Sequence, residues 1–150
     1  MHKDMQMNLS PKVLKKGEGE LLKVLQDNIT VKVDGRDTYG QFTVVETNNE
    51  VDAGVPPHYH EREDECFYII EGEAEFTVGG ETFTAKTGDT VFGPRNVPHS
   101  YRFLKPTKML ATISPAGFER MFREVHNMED QSDLGAVERI FNNYGVYLVK

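Results

Sequence analysis

Residues 54–72 read GVPPHYHEREDECFYIIEG. Two histidines, His58 and His60, stand two apart, and Glu65 follows five residues later. Side chains at i and i+2 of a β-strand share a face. A strand entered through Pro56 and Pro57 therefore presents both imidazoles side by side. The run ERED reads as a turn whose members, Glu61, Arg62, Glu63 and Asp64, are solvated. Glu65 then opens the next strand and returns to the same point. Neutral imidazoles with a carboxylate suit a borderline divalent metal such as iron, manganese, nickel, copper, cobalt or zinc. Taken alone, the segment leaves two readings open: a metal site, or a charged loop with two histidines beside it.

On both sides of this stretch the pattern is β. LLKVL, ITVKV and YGQFTVVE are short and rich in β-branched or aromatic residues. Turn signals, Asp34-Gly35 and Asn48-Asn49, punctuate them. EAEFTV and ETFTA alternate apolar with polar residues around Gly79-Gly80, a pair that suits a two-residue hairpin because both positions accept positive φ. SYRFL and KMLATIS complete the series. Many short strands with close turns predict a sandwich or small barrel. The pattern changes after Ser114. SPAGFERMFREV opens with a Ser-Pro pair suited to a cap and first turn, and Phe118, Met121, Phe122 and Val125 follow helical spacing. A second helix is predicted over 134–144, with the stripe Leu134, Val137, Phe141 and Tyr144 and a stop at Gly145. These stripes read as packing surfaces.

A second histidine segment bears on the first. GDTVFGPRNVPHSYRF, residues 88–103, runs from a turn glycine through a strand and a proline-rich bend to His99. A third imidazole there could complete a shell of three histidines and one carboxylate. Together the two segments resemble the paired motifs of the cupin superfamily. His58, His60, Glu65 and Gly72 match the first motif, and Gly88, Pro94 and His99 the second. Gly54 lies closer to the histidines than the family's first glycine usually does. Asn96 stands where the family often has glycine, and Phe103 where it often has asparagine; Asn tolerates left-handed backbone. The resemblance implies an all-β fold, a cupin-type jelly-roll β-barrel with a short C-terminal helical tail. It implies that His58, His60, Glu65 and His99 hold one divalent transition metal, and that the chain forms a homodimer. The division expected is an N-terminal arm or edge strand over 1–18, the barrel over 19–114, and helices packing on it over 115–150.

If Glu65 faces inward, strand alternation turns Phe67 and Ile69 inward as well, and His99 brings Tyr101 and Phe103. These four are the candidate substrate contacts as well as candidate core. An apolar wall beside a metal favours a small aromatic or apolar substrate with metal-binding oxygens. Glu65 is also the candidate general base. Cys66 points to the opposite face, and Tyr68 and Ile70 on that face need cover from another sheet or subunit. His2 and His126 read as surface residues. Within the superfamily, PPHYHEREDECFYIIEGE, GPRNVPHSYRF and the tail NNYGVYL are most similar to the single-domain group resembling quercetin dioxygenases. That likeness implies a metal-dependent dioxygenase acting on a small phenolic or enolizable substrate. The alternatives are a metal-dependent isomerase or lyase, and a non-catalytic cupin that binds or senses a small ligand. Only Arg95 and Arg102 lie near the motifs, which argues against phosphorylated substrates.

Composition sets the outer limits. The chain has 150 residues, 38% hydrophobic and 27% charged, which suits one globular domain. A formal net charge of −7 without a basic stripe argues against nucleic acid. No apolar run reaches the roughly 18 residues of a membrane span, and the N-terminus lacks a secretory h-region. A single cysteine permits no intrachain disulfide. A cytoplasmic location is the expectation.

Overall fold

The β5 strand (Asp64–Glu71) shows how sequence becomes layer: Glu65, Phe67 and Ile69 are buried, while Cys66 and Tyr68 between them are exposed. The computed structural model describes residues 9–150; the expectations for His2 and for the start of the N-terminal arm lie outside the described residues. Residues 9–18 form no regular element. In chain order the other elements are β1 (Glu20–Val24), β2 (Asp27–Val33), α1 (Gly35–Thr38), β3 (Thr43–Asn49) and β4 (Gly54–His60). After β5 come β6 (Glu73–Val78), β7 (Glu81–Lys86), β8 (Thr90–Gly93), β9 (His99–Phe103) and β10 (Thr107–Ser114). Helices α2 (Glu119–His126) and α3 (Leu134–Asn143) and the short β11 (Val146–Leu148) complete the chain.

The strands form two antiparallel sheets, in the orders β1-β2-β3-β10-β5-β8 and β11-β4-β9-β6-β7. This is the jelly-roll arrangement that the resemblance implied. The inner faces share one core. Phe67 of the first sheet lies 5.4 Å from Phe76 and 5.7 Å from Tyr101 of the second, ring centre to ring centre. Gly79 and Gly80 close the β6–β7 hairpin with φ of 58° and 87°, as their sequence predicts. At Gly54 the backbones of β4 and β9 come so close that a Cβ would stand 2.1 Å from the Tyr101 carbonyl oxygen. No other residue fits where β4 enters the site.

Several local expectations give way to better-paired alternatives. Asp34-Gly35 starts α1 rather than a simple turn, because the Asp34 side chain accepts from the Arg36 and Asp37 amides in a capping box. β3 accordingly begins at Thr43, later than YGQFTVVE suggests. Asn48 and Asn49 belong to β3, and the chain turns at Val51 and Asp52 instead. Ser114 ends β10, so the Ser-Pro pair does not cap α2; that helix starts at Glu119, and Phe118 precedes it without a side-chain cap. Phe118, Met121, Phe122 and Val125 are buried as their spacing predicts. Val137 and Phe141 of α3 are buried too, but Leu134, 66% exposed, drops out of the stripe. Gly145 ends the helix at φ 75°, and the following VYL pairs with β4, a strand too short to show in the sequence. His126 is engaged, its Nδ1 accepting from the Lys23 amide at 2.9 Å. Among the described residues, no helix is long and apolar enough to cross a membrane.

Candidate metal centre

His58 and His60 lie two apart on β4, and His58 stands directly opposite His99 on β9. Glu65 reaches the same point from β5 of the other sheet. The centre therefore sits between the sheets and draws on both. One ligand atom from each of His58, His60, Glu65 and His99 lies within 4.8 Å of the others. That is little more than twice a metal–nitrogen or metal–oxygen bond of roughly 2.1 Å. The His58 and His99 ring centres are 4.4 Å apart, and His60 and His99 stack almost parallel at 5.7 Å.

The second nitrogen of each β4 histidine is engaged outside the cluster. His58 Nδ1 lies 2.8 Å from the Pro56 carbonyl oxygen. A carbonyl only accepts, so that nitrogen carries the proton and Nε2 is left with a lone pair. His60 Nδ1 lies 3.2 Å from Glu63 Oε1, which leaves His60 Nε2 facing Glu65 at 2.9 Å. His99 Nε2 is 3.2 Å from the same carboxylate oxygen. Glu65 Oε1 is left as a buried polar atom without a hydrogen-bond partner, and so, on the other side of its ring, is His99 Nδ1. Orphaned atoms of this kind are costly in a protein interior. An ion among the four side chains would relieve that at Glu65, and the donor set fits a divalent transition metal.

The electrostatics point the same way. Burial, with His99 and His60 as charged neighbours, holds His58 down at about 4. Burial also opposes charge on His60, but the Glu65 and Glu63 carboxylates outweigh it and push His60 up to about 9. Burial would raise Glu65, yet His60 and His99 hold its carboxyl well below the usual range. The cluster thus keeps an ionised carboxylate ready for a cation, balanced by a proton on His60.

The centre opens onto a cavity of about 90 Å³. Val24, Leu25 and Ile29 of the β1–β2 hairpin form one wall, and Phe118, Met121 and Phe122 form another. Phe118 also meets the His60 ring edge-on at 4.7 Å. Of the candidate substrate contacts, Phe67 and Tyr101 line the cavity; Ile69 and Phe103 are buried in the core and do not reach it. Burial, then the charges of Asp27 and Glu65, hold the Tyr101 phenol well above its usual range, so it keeps its proton. Among the described residues no lysine or arginine lines the cavity. Arg95 is tied to Asp64 at 2.9 Å and Arg102 to Asp52 at 3.1 Å, both on the outside.

Two acidic residues at the site differ from the sequence reading or were missed by it. Glu63, expected in solvent, is 5% exposed and orients His60. Its position three residues after a candidate ligand, in a turn, was the available signal. Asp27 also lines the cavity. The alternation of Asp27, Ile29 and Val31 along β2 already places it on the core face. Burial pushes Asp27 up to about 6, against the opposing bond from Asn49 and with the Glu65 charge adding to the rise.

The contact from Glu63 yields a prediction. Carboxylates that fix a ligating histidine contribute about ten- to a hundredfold in metal affinity. Glu63→Ala should weaken zinc binding by that much in competition with a chromophoric chelator. Glu63→Gln, which keeps an oxygen for His60 Nδ1, should retain most of the affinity. Equal behaviour of both variants and the parent would remove Glu63 from the site.

Comparison with known proteins gives a consistent picture. A family model described as "Cupin domain" matches residues 45–113. Quercetin 2,3-dioxygenase of Bacillus subtilis (strain 168) is 34% identical over 114 residues, spanning 75% of this chain and 34% of that protein. The chain thus covers about a third of that relative's length. An uncharacterized protein of Aquifex aeolicus (strain VF5) is 32% identical over 112 residues, spanning 71% of this chain and 88% of its own. Among solved structures, KdgF from Halomonas sp. superposes with a TM-score of 0.67 at 20% identity, over 74% of this chain and 99% of that one. That likeness is one of fold.

Proposed function

The chain belongs to the cupin superfamily, and on that footing we propose that it is a metal-dependent dioxygenase acting on a small phenolic or enolizable substrate. The observation that carries the reading is the cluster of half-buried His58 with buried His60, Glu65 and His99, with its unpartnered carboxylate oxygen, opening onto an apolar cavity. The similarity to a quercetin 2,3-dioxygenase supports it. When bound, the metal would supply Lewis acidity and an electron path between substrate and dioxygen.

The protein's own groups do the rest. His58, His60, Glu65 and His99 hold the ion, and Glu63 sets the His60 ring. Glu65 is the base placed beside an arriving substrate hydroxyl; its own proton affinity is held low, so it would act on a hydroxyl whose acidity a bound cation had raised. Tyr101 keeps its O–H and can donate to a substrate oxygen. Phe67, Phe118 and Phe122 present apolar surface to a ring and exclude water. Size narrows the class. A cavity of about 150 Å³ is what accommodates benzene in a protein interior, and this one measures about 90 Å³. An open-chain enediol fits best; a single ring needs the hairpin tip or α2 to give a little, and a three-ring flavonol needs them to move outright.

Oxygen uptake tests the reading. Protein loaded separately with iron, manganese, cobalt, nickel, copper or zinc would be offered catechols, hydroxypyranones and flavonols. Uptake with at least one redox-active metal, fastest on single-ring compounds, is the expected result. Tight binding without uptake on any metal would favour a ligand-binding cupin instead. Turnover without oxygen consumption would favour an isomerase or lyase, although the lack of a cavity lysine or arginine counts against phosphorylated substrates. A homodimer is part of the same proposal. Tyr68 and Phe92, 45% and 57% exposed, lie on the outer face of β5 and β8 at the edge of the six-stranded sheet.

A further inference from the structure

Polar groups in the cavity wall fall into two sets: the histidine–glutamate cluster with Tyr101, and Asp27 on the β1–β2 hairpin. Asp27 is only 9% exposed, and its setting is built. Asn49 Oδ1 accepts from the Asn28 amide at 2.8 Å, which fixes the Asn49 side chain with its NH₂ toward Asp27. That NH₂ donates to Asp27 Oδ1 at 2.6 Å. Among the described residues it is the one hydrogen-bond donor to Asp27. The hairpin tip beside it is pinned as well. Leu25, a cavity residue at φ 56°, donates its amide to Gln131 Oε1 at 2.7 Å. Gln131 Nε2 in turn donates to the Lys23 and Val125 carbonyls.

A carboxyl at that position is expensive to maintain. One oxygen has a protein donor; the other has none and, unlike the buried orphan oxygen of Glu65, is open to the cavity. The fixed Asn49 amide also decides which oxygen is free. Hydrophobic neighbours such as Ile29 and Leu25 cannot satisfy it. A ligand can.

We propose that Asp27 is a specificity-determining residue that accepts a hydrogen bond from a substrate hydroxyl other than the metal-binding oxygens. The substrate class is then a small chelating ring or enediol that carries one further hydroxyl. The carboxyl's raised proton affinity at about 6 leaves it mostly ionised at neutral pH, the state that accepts most strongly. This deepens the function proposed above and rests on ligand oxygens binding at the metal centre.

The test uses binding, with zinc-loaded protein so that no turnover intervenes. Kojic acid and allomaltol chelate through the same oxygens and differ by one hydroxyl on the far side of the ring. A hydroxymethylcatechol and the corresponding methylcatechol form a second such pair. Calorimetric titration should show a preference of about tenfold or more for the hydroxyl-bearing member of at least one pair, the scale of one charge-assisted hydrogen bond. Asp27→Asn keeps the shape and the bond from Asn49 but turns an NH₂ toward the cavity. It should cut that preference several-fold, because a neutral amide bonds a hydroxyl more weakly than a carboxylate does, while leaving allomaltol and methylcatechol affinity within about twofold. No preference in the parent protein, or a preference that survives Asp27→Asn undiminished, would overturn the assignment. Equal weakening of both members of a pair would also overturn it, reducing Asp27 to a cavity-shaping role. If none of the four compounds binds the zinc-loaded parent, the reading that ligand oxygens bind at the metal centre fails and this proposal falls with it.

Discussion

Replacing His58 and His99 together by alanine should abolish metal retention. Protein purified without added metal or chelator is expected to carry about one transition-metal ion per chain, and the double variant less than about a tenth of that. The two residues face each other across the β4–β9 pair. Removing both leaves His60 and Glu65, one imidazole and one carboxylate, which is too few donors for a tight four-ligand site. Circular dichroism guards against trivial unfolding, because neither substitution disturbs a ladder hydrogen bond. Metal retained at full stoichiometry in the folded double variant would show that the ion binds elsewhere.

The same centre predicts a pH dependence. In the metal-free protein His60 carries a proton up to about pH 9, above its ordinary value of 6.5. That interaction stabilises the metal-free fold fully below pH 6.5 and is lost as pH rises through about 9. A metal ion takes the proton's place beside Glu65, so binding releases it. Apparent affinity should therefore rise by about tenfold per pH unit from near neutrality to about 9 and flatten above. A flat profile over that span would mean that His60 is already neutral before metal arrives.

The legible part of this site shares one physical basis. Strand periodicity is strict, so two histidines at i and i+2, a carboxylate at the next strand's start and a histidine after a glycine–proline bend already determine a common face. The same rule put Phe67 and Tyr101 at the cavity, and put Ile69 and Phe103 on the inward side without saying how far along the barrel the cavity extends. The illegible part depends on contacts between distant segments. Glu63 looks solvated in an acidic run, and only the fold shows that the turn wraps it against His60. Asp27 had the right periodicity, but nothing local reveals that its strand starts at the cavity that β4 also lines. β11 is three residues long, and its pairing with β4 decides its conformation. Leu134 matches a helical stripe and still points outward, because α3 packs on the core along Val137, Ile140 and Phe141.

The start of α2 illustrates the same limit and carries the second large expected effect. Glu119→Ala should destabilise the fold by about 3 kcal/mol, lowering the melting temperature by roughly 6–12 °C. The Glu119 carboxylate is buried and accepts from three donors in separate parts of the chain. These are the Gly35 amide at 2.8 Å, the Thr43 hydroxyl at 2.7 Å and the Gly117 amide at 2.9 Å. It thereby fastens the first turn of α2 to α1 and β3, the work that a Ser114 cap was expected to do locally. Alanine strands all three donors, and an unsatisfied buried polar group costs about 1–3 kcal/mol. Thr43→Val removes one donor along with its need and should cost about 1 kcal/mol or less. Burial alone would raise the Glu119 carboxyl, but the Gly35 and Thr43 donors outweigh it and hold it below its ordinary value. Its contribution is therefore present above the ordinary carboxyl range and fades as pH falls below it, so the difference between parent and variant should shrink in acid. Because Met121 and Phe122 of this helix line the cavity, the variant should also bind ring chelators more weakly at 25 °C, before global unfolding. Urea titration of parent and variant at neutral pH decides the matter. A loss under about 1 kcal/mol would mean that the packing of Phe118, Met121 and Val125 holds α2 in place by itself, and that the cavity wall does not depend on the carboxylate.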